Sequence, residues 1–148
     1  MSLPPEAYAG LVSRLVALAI DVVVVTVAAG ATVALVVGGT DVLLRGTPGW
    51  ATVTSAVVVG LLPTVYFSLS WWTTGQTLGN MTAGVAIRRS DGAHLAFSRS
   101  LVRALIGLAL APVWLLGMVL VLVDHRRRSL LDYACGTVVV YQADHGRQ

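Results

Sequence analysis

The sequence predicts an all-α membrane protein with two transmembrane helices, a third apolar segment and a small cytoplasmic element of β-sheet. Two observations predict this class. Of the 148 residues, 56% are hydrophobic and only 11% are charged, whereas about a quarter of the residues of a soluble domain are charged. Three long apolar runs also cover most of the chain. We therefore expect residues 1–148 to form a single membrane domain.

The first two apolar runs are each long enough to cross a bilayer, which takes about 20 residues. The first covers residues 11–37 and contains only two charged residues, Arg14 and Asp21. The second covers residues 50–72, and tryptophans at its two ends suit the two membrane interfaces. The connecting stretch "GGTDVLLRGTPGW" is rich in Gly and Pro and predicts a short loop.

The third apolar run, residues 100–123, is compatible with two topologies. It is long enough for one crossing, but Pro112 in its middle removes a helix hydrogen bond. Arginines flank the run on both sides, and the positive-inside rule favours placing both groups in the cytoplasm. The sequence therefore favours a re-entrant helical hairpin broken near Pro112, with arms too short to cross, over a third crossing.

Two segments on either side of this run predict β-structure. Residues 83–97, "AGVAIRRSDGAHLAF", predict a hairpin around Ser90, Asp91 and Gly92. Residues 136–142, "GTVVVYQ", lie in the basic tail 124–148 and predict a β-branched strand. If both segments are cytoplasmic, the late strand completes a three-stranded sheet, which again favours the re-entrant topology.

The most unusual residue of the first run is Asp21. It lies about 15 Å into the helix, where a carboxylate must face protein or water, be protonated, or be paired. Arg14 is on nearly the same helix face, but about 10.5 Å away along the axis. We therefore expect each of the two to have its own partner. For Arg14, an alternative is that its side chain reaches the membrane surface. For Asp21, the alternative is a purely structural role, in which a protonated aspartate forms a hydrogen bond to a neighbouring helix.

A second polar cluster, "DHRRRSLLDYACGT", follows the third run. Asp132 is the candidate partner of a distant cation such as Arg14, and Asp124 and His125 are secondary candidates at the interface. Five further arginines are expected at the membrane surface, in contact with lipid headgroups: Arg126, Arg127, Arg128, Arg88 and Arg89.

The residue inventory argues against enzyme chemistry. The sequence has no Ser/His/Asp set, no HExxH motif and no Cys-rich spacing, which argues against a hydrolase or a metalloenzyme. The single cysteine, Cys135, excludes an internal disulfide. The asymmetric arginines indicate membrane topology rather than nucleic-acid binding. We expect no catalytic residues, no metal, no cofactor and no nucleic-acid partner.

Three segments together resemble the RDD family of small bacterial membrane proteins, named for one arginine and two aspartates. They are "YAGLVSRLVALAIDVVVV", "GQTLGNMTAGVAIRRSDGAHLAFSRSLVRAL" and "RRRSLLDYACGT". The resemblance implies that Arg14 and Asp21 are the first two signature positions and that Asp132 is the third. Asn80 and Leu131 depart from the pattern, which commonly has a basic residue and a histidine at these positions.

The resemblance implies membrane localisation and a link to transport, since some members are regarded as sodium/proton antiporters. One hypothesis is a transporter, oligomeric by self-association, in which Asp21 alternately binds a monovalent cation and a proton. The other is an accessory or assembly subunit, in which the charged residues fasten helices to a larger membrane complex. A lipid-headgroup enzyme is less favoured, because no nucleophile–base set is present. We expect the bacterial plasma membrane as the location, with the N-terminus in the cytoplasm.

Overall fold

Residues 7–142 are described by a computed structural model, so the ends of the predicted domain, 1–6 and 143–148, lie outside the described residues. The protein is mostly helical, with two helices long and apolar enough to cross a membrane, Leu11–Leu44 and Gly49–Thr73. In chain order the elements are α1 (Leu11–Val33), a π-helical turn (Ala34–Gly38), α2 (Gly39–Leu44), α3 (Gly49–Thr73), α4 (Leu78–Thr82), β1 (Val85–Arg89), α5 (Phe97–Ala109), α6 (Ala111–Leu116), a 3-10 turn (Gly117–Leu122), α7 (Leu130–Cys135) and β2 (Thr137–Tyr141).

The first long helix continues past the predicted end at residue 37, through the π-helical turn and α2. The Thr40 hydroxyl donates to the Val36 carbonyl at 2.8 Å, which supports the backbone at this turn. The helix ends where Arg45 adopts a left-handed conformation, with φ of 55°. Pro48 then has extended backbone and precedes α3. The predicted loop is therefore shorter than expected.

The first long helix buries very little of its surface within the chain. In α1 only Arg14, Ala17 and Asp21 are buried, and neither the π-helical turn nor α2 has a buried residue. The spacing of three and four residues places these three side chains on one helix face. Its other faces expose apolar side chains such as Val23 and Val27, which suits a bilayer.

The predicted three-stranded sheet is wrong: within residues 7–142 the sheet has two strands. β1 and β2 pair antiparallel, with Val85 opposite Tyr141 and Arg89 opposite Thr137. The turn of the predicted 83–97 hairpin forms, since the Arg89 amide donates to the Ala93 carbonyl at 2.9 Å. Its second arm is not a strand, because the segment around Gly75 already binds the edge of β1 that faces away from β2. There the Ile87 amide donates to the Gly75 carbonyl at 2.8 Å.

The start of α1 and the two strands lie at the same end of the molecule, which we call the sheet end. Tyr8 forms a single β-bridge with Val140 of β2, and the Ala9 amide donates to the Val139 carbonyl at 2.9 Å. The apolar core lies here, between the strands and the nearest ends of the helices. Its members are Ala9, Trp71, Val85, Ile87, Leu95, Ala104 and Val139.

The third apolar segment is sharply bent. Residues Phe97–Ala109 and Ala111–Leu122 meet at 86°, just before Pro112. Pro112 has no N–H for a helix hydrogen bond to the carbonyl of Leu108, and its ring would crowd that carbonyl in a continuous helix, which accounts for the break at Leu110. A pair of short helices with this bend is either a broken span or a re-entrant segment.

Candidate functional site

Asp132 lies at the centre of a buried ion-pair group, the arginine–aspartate cluster, formed by Arg14, Arg103 and Asp132. Its side chain is fully buried, and each of its two oxygens is bound by a different arginine. Arg14 Nη1 contacts Oδ2, and Arg103 Nη2 lies 2.8 Å from Oδ1. The cluster thus connects α1, α5 and α7, which are far apart in the sequence.

Hydrogen bonds complete the surroundings of the Asp132 carboxylate. Ser129 and Asp132 form a capping box at the start of α7, and the Ser129 amide and hydroxyl both donate to Oδ2 at 3.0 Å. The Thr137 hydroxyl donates to Oδ1 at 3.2 Å and in turn contacts Arg103 Nη1. Arg14 also donates to the carbonyls of Ala9 and Arg127, at 3.2 and 2.5 Å. All these contacts suit a charged carboxylate.

The cluster keeps Asp132 ionised. Burial by itself would raise the pKa of Asp132, because a charged group is disfavoured away from water. The neighbouring Arg103 and Arg14 guanidiniums, together with hydrogen bonds from Arg14 and the Ser129 backbone, outweigh burial and lower the pKa to about 2. Asp132 therefore remains negatively charged at any physiological pH, as a fixed partner of the two arginines.

Asp21 has entirely different surroundings, which we call the Asp21 cradle. Its Oδ1 accepts from the Tyr66 hydroxyl at 2.7 Å and from the Gly79 amide at 2.8 Å. Its Oδ2 accepts from the Thr77 hydroxyl at 2.6 Å. These donors come from α3 and from the start of α4. Among residues 7–142, no ion pair includes Asp21.

The directions of the hydrogen bonds in the cradle can be assigned from its backbone contacts. The Tyr66 hydroxyl oxygen accepts from the Leu78 amide at 3.0 Å, and the Thr77 hydroxyl oxygen accepts from the Asn80 amide at 3.1 Å. Each hydroxyl therefore has its own hydrogen free to donate to Asp21. Three donors directed at two carboxylate oxygens match an acceptor-only group, which is the ionised form.

A glycine makes the close approach of α4 to α1 possible. A Cβ added at Gly79 would lie 2.0 Å from the Ala17 carbonyl oxygen and 2.8 Å from the Asp21 carboxyl carbon. Any other residue here would push α4 away from α1 and remove the Gly79 amide from Asp21. The segment "GQTLGN", which follows the second long helix, thus supplies two of the three donors to Asp21.

The comparisons with known proteins identify the family of the chain. Residues 8–136 match the model of the RDD family. The chain belongs to the RDD family. No curated protein and no solved structure matches the chain significantly.

In this RDD protein both groups of polar residues border one cavity. Its volume is about 360 Å³, within the range of about 300–1,000 Å³ typical of ligand pockets. Arg14, Asp21 and Arg103 line its polar part, and the remaining walls are mostly apolar side chains of α1, α3, α5 and α6. Residues of the arginine–aspartate cluster and of the Asp21 cradle therefore face the same space.

The RDD protein places the secondary candidates away from this cavity. Asp124 accepts from Arg128 Nε at 3.1 Å and from the Tyr133 hydroxyl at 2.6 Å. The Arg128 hydrogen bond, which outweighs the opposing effect of burial, holds the pKa of Asp124 well below its usual range. His125 is exposed. Within residues 7–142, no three His, Cys, Asp or Glu side chains come together as metal ligands.

The remaining surface arginines differ from one another in exposure. Arg89 and Arg126 are exposed, and Arg89 pairs with the neighbouring Asp91. Arg127 is half-buried, and its Nη1 donates to the Tyr8 carbonyl at 3.3 Å. Arg88 and Arg128 are also half-buried. All of them lie at the sheet end, and their contact with lipid headgroups stays a prediction.

Sequence reasoning missed several residues of the site. Arg103 was used only as an indicator of topology, although it occurs four residues after Arg99 on a helix with charged and apolar faces. Tyr66 was hidden in an apolar run. A sequence feature that could have identified Thr77 and Gly79 as site residues is their short polar segment. It directly follows a membrane helix and offers hydroxyl and amide donors.

Proposed function

We propose that this RDD protein takes part in membrane transport and that Asp21 alternately binds a proton and a monovalent cation. One observation carries this proposal: Asp21 is a buried carboxylate surrounded by hydrogen-bond donors and without a basic partner among the described residues. A mobile cation or a proton is the natural counter-charge for such a group. Asp21 also lines the cavity, so the counter-charge has a place to enter.

The contrast with Asp132 supports this assignment. Asp132 is neutralised by two arginines, and its pKa of about 2 keeps it charged. A carboxylate of this kind fastens helices together and does not exchange protons near neutral pH. Of the two aspartates of the RDD signature, we therefore assign the structural role to Asp132 and the exchanging role to Asp21.

The cradle provides a way to couple exchange to movement. When Asp21 takes up a proton, one of its oxygens becomes a donor, and the hydroxyl of Tyr66 or Thr77 that donates to this oxygen must turn to accept from it. A cation near the carboxylate likewise requires the hydroxyls of Tyr66 or Thr77 to turn their oxygens towards it. Either event weakens the attachment of α4 to α1, so we propose that α4 shifts during the cycle.

The pairing of the two strands supports a re-entrant third segment. β1 precedes this segment and β2 follows it, and the two strands are hydrogen-bonded to each other. A segment with both flanks in one sheet crosses the membrane an even number of times, or not at all. Arg45 lies at the opposite end of the long helices from the other described arginines. The positive-inside rule then supports a cytoplasmic sheet end and N-terminus, in the plasma membrane.

A direct flux measurement tests the transport proposal. The wild-type protein is reconstituted in proteoliposomes, and the internal pH is followed with a trapped dye after addition of Na⁺ or K⁺. We expect wild-type protein to exchange protons and Asp21→Asn to be inactive. Asp41→Asn is the matched control, because Asp41 is exposed and lies on the same long helix. Equal exchange by wild type and Asp21→Asn would contradict the proposal.

An accessory or assembly role is the second candidate, supported by the open faces of the first long helix. At Gly30, Gly38 and Gly39 no atom of residues 7–142 beyond the adjacent residues and the surrounding helix backbone lies within 4 Å of the place where a side chain would begin. Small residues of this kind let another membrane helix approach closely, from a second copy or from a different subunit. Stoichiometric copurification of another membrane protein, with no exchange by the purified chain alone, would favour this role.

A further inference from the structure

Asn80 lies beside the Asp21 cradle, and its side chain has no hydrogen-bond partner among residues 7–142. The residue is only 8% exposed and belongs to α4, where it directly follows Gly79, the amide donor to Asp21. The Asn80 backbone amide donates to the Thr77 hydroxyl oxygen at 3.1 Å, so only the side chain is unpaired. Buried polar side chains are nearly always hydrogen-bonded, which makes this carboxamide a candidate for binding a ligand.

The Asn80 carboxamide opens into the cavity. Asn80 is one of the residues that line it. Four side-chain atoms of the described residues are fully enclosed and lack a partner, namely Ser68 Oγ, Trp71 Nε1, Ser100 Oγ and Arg103 Nε. The oxygen and nitrogen of the Asn80 carboxamide are not among them, so both keep some accessible surface. A ligand in the cavity can therefore reach the carboxamide.

Asp21 lines the same cavity and has an unused acceptor position. A carboxylate can accept about four hydrogen bonds, two at each oxygen. Oδ1 accepts two, from Tyr66 and Gly79, whereas Oδ2 accepts only one, from Thr77. The same Thr77 hydroxyl accepts from the Asn80 backbone amide, so a single hydroxyl connects Oδ2 to Asn80. An unused carboxylate position and an unused carboxamide are thus neighbours on the cavity wall.

The charges around the cavity favour a monovalent cation between these two groups. Three of the described lining residues are charged, Arg14, Asp21 and Arg103. Both arginines are bound to Asp132, whereas no ion pair among residues 7–142 includes Asp21. One carboxylate balances a single positive charge. A divalent cation would leave an uncompensated buried charge, and the excess positive charge of the arginine–aspartate cluster disfavours it further.

We propose that Asn80 is a ligand of the monovalent cation that replaces the proton on Asp21. The cation contacts Asp21 Oδ2 and the Asn80 carboxamide oxygen, and the proton that Asp21 loses goes to the solvent. Carboxylate and carboxamide oxygens are ligands that hard cations prefer, and the carboxamide adds a ligand without adding charge. The assignment rests on the proposed exchange at Asp21 and adds to it a residue that sets the affinity for the cation.

The dependence of proton release on cation concentration tests the role of Asn80. Purified protein in weakly buffered detergent solution starts at a pH that protonates Asp21 and is titrated with Na⁺ or K⁺. We expect Asn80→Ala to release as many protons as the wild type. Half-maximal release should require about tenfold or more cation, because one oxygen ligand is lost.

Met81→Ala is the matched control for this titration. Met81 belongs to the same short helix, is 55% exposed and does not line the cavity. We expect its half-maximal cation concentration to stay within about twofold of the wild-type value. Both variants should unfold at the wild-type temperature, since the Asn80 side chain forms no hydrogen bond within residues 7–142. An Asn80→Ala protein that does not fold would show that the carboxamide stabilises the fold, and would overturn the proposal.

The titration distinguishes a failure of this assignment from a failure of the proposed exchange. If folded wild-type protein releases no protons at any starting pH, both are overturned. If the wild type and Asn80→Ala release protons at the same cation concentrations, the role of Asn80 is overturned and exchange at Asp21 stands.

A change of charge at the same position separates a cation ligand from a side chain that only supports α4. In Asn80→Asp the site holds two carboxylates, whose combined charge matches a divalent cation. We expect Ca²⁺ to release protons from folded Asn80→Asp at concentrations about tenfold or more below those needed with the wild type. A side chain that only packs would not change the charge of the preferred cation. Equal Ca²⁺ dependence of the two proteins would overturn the assignment.

Discussion

Two arginines share the Asp132 carboxylate, and neither forms an ion pair with any other described residue. Replacing Asp132 by asparagine leaves two buried cations without a counter-charge. We expect Asp132→Asn to lower the free energy of unfolding in detergent by about 3–5 kcal/mol. Asp91→Asn, at an exposed ion pair in a turn, is the control and is expected to change it by less than about 1 kcal/mol. A stable Asp132→Asn protein would contradict this account of the cluster.

The low pKa of Asp132 predicts how the stability of the protein depends on pH. Its folded-state pKa of about 2 is below the ordinary value of 3.8. Its contribution to stability is therefore fully present above pH 4 and is lost as pH falls through about 2. We expect acid unfolding of wild-type protein in this window, followed by circular dichroism. The Asp124→Asn variant should retain most of this acid sensitivity, since Asp124 lies near the surface. If the variant loses the acid sensitivity completely, the effect belongs to Asp124 instead.

Gly79 is the residue at which α4 and α1 approach most closely. We expect Gly79→Ala to destabilise the protein by at least about 1–3 kcal/mol, because the new Cβ would collide with the Ala17 backbone. Gly60→Ala is the control, since Gly60 lies in α3 with nothing within 4 Å of the new atom. The alanine should be tolerated there or stabilise the helix slightly. Thermal unfolding of both variants tests this prediction. Equal changes in stability of the two variants would contradict the close contact at Gly79.

At the scale of elements, the sequence predicted which parts are helical and apolar better than how they are joined. Both long helices and the break near Pro112 follow from composition and from the chemistry of proline. The seven-residue spacing of Arg14 and Asp21 correctly indicated that they have separate partners. The sheet was predicted with a wrong third strand, because the sequence does not show that the segment around Gly75 occupies the free edge of β1.

Sequence patterns could not predict which side chains bind Asp132 and Asp21, and the reason is physical. Arg103 reaches Asp132 only because α5 and α7 pack together, and Tyr66 reaches Asp21 only because α3 and α1 do. Such contacts depend on how elements pack, which no local periodicity encodes. Asp132 was predicted as a distant member of the set with Arg14, whereas the second arginine was not.

The topology of the third apolar segment gives a prediction for labelling with an impermeant thiol reagent. Cys135 is a poor reporter, because it is buried and burial raises the pKa of its thiol. In a Cys135→Ser protein, new cysteines at Asp91 and His125 flank the segment at exposed positions. We expect Asp91→Cys and His125→Cys to be protected in intact cells and Thr47→Cys to be labelled. Labelling of only one of the two flanking positions would contradict the re-entrant topology.

At the scale of the whole molecule, the chain has one dense end and two long helices that extend from it. Polar interactions concentrate at the sheet end, where the arginine–aspartate cluster joins α1, α5 and α7. The distant parts of the long helices expose apolar side chains such as Leu35 and Val42. Two membrane helices cannot enclose a pathway, so the transport proposal implies that several copies associate through these exposed faces.

The central claim, exchange at Asp21, is tested most directly by counting protons. Purified protein in weakly buffered detergent solution is brought to a series of starting pH values, the lowest of which protonate Asp21. At each pH it is mixed with Na⁺ or K⁺, and the released protons are measured with a pH indicator. We predict that wild-type protein releases up to one proton per chain and that Asp21→Asn releases none, while Asp41→Asn behaves as wild type. Release from Asp21→Asn equal to that from wild type, or no release from folded wild-type protein, would contradict the account.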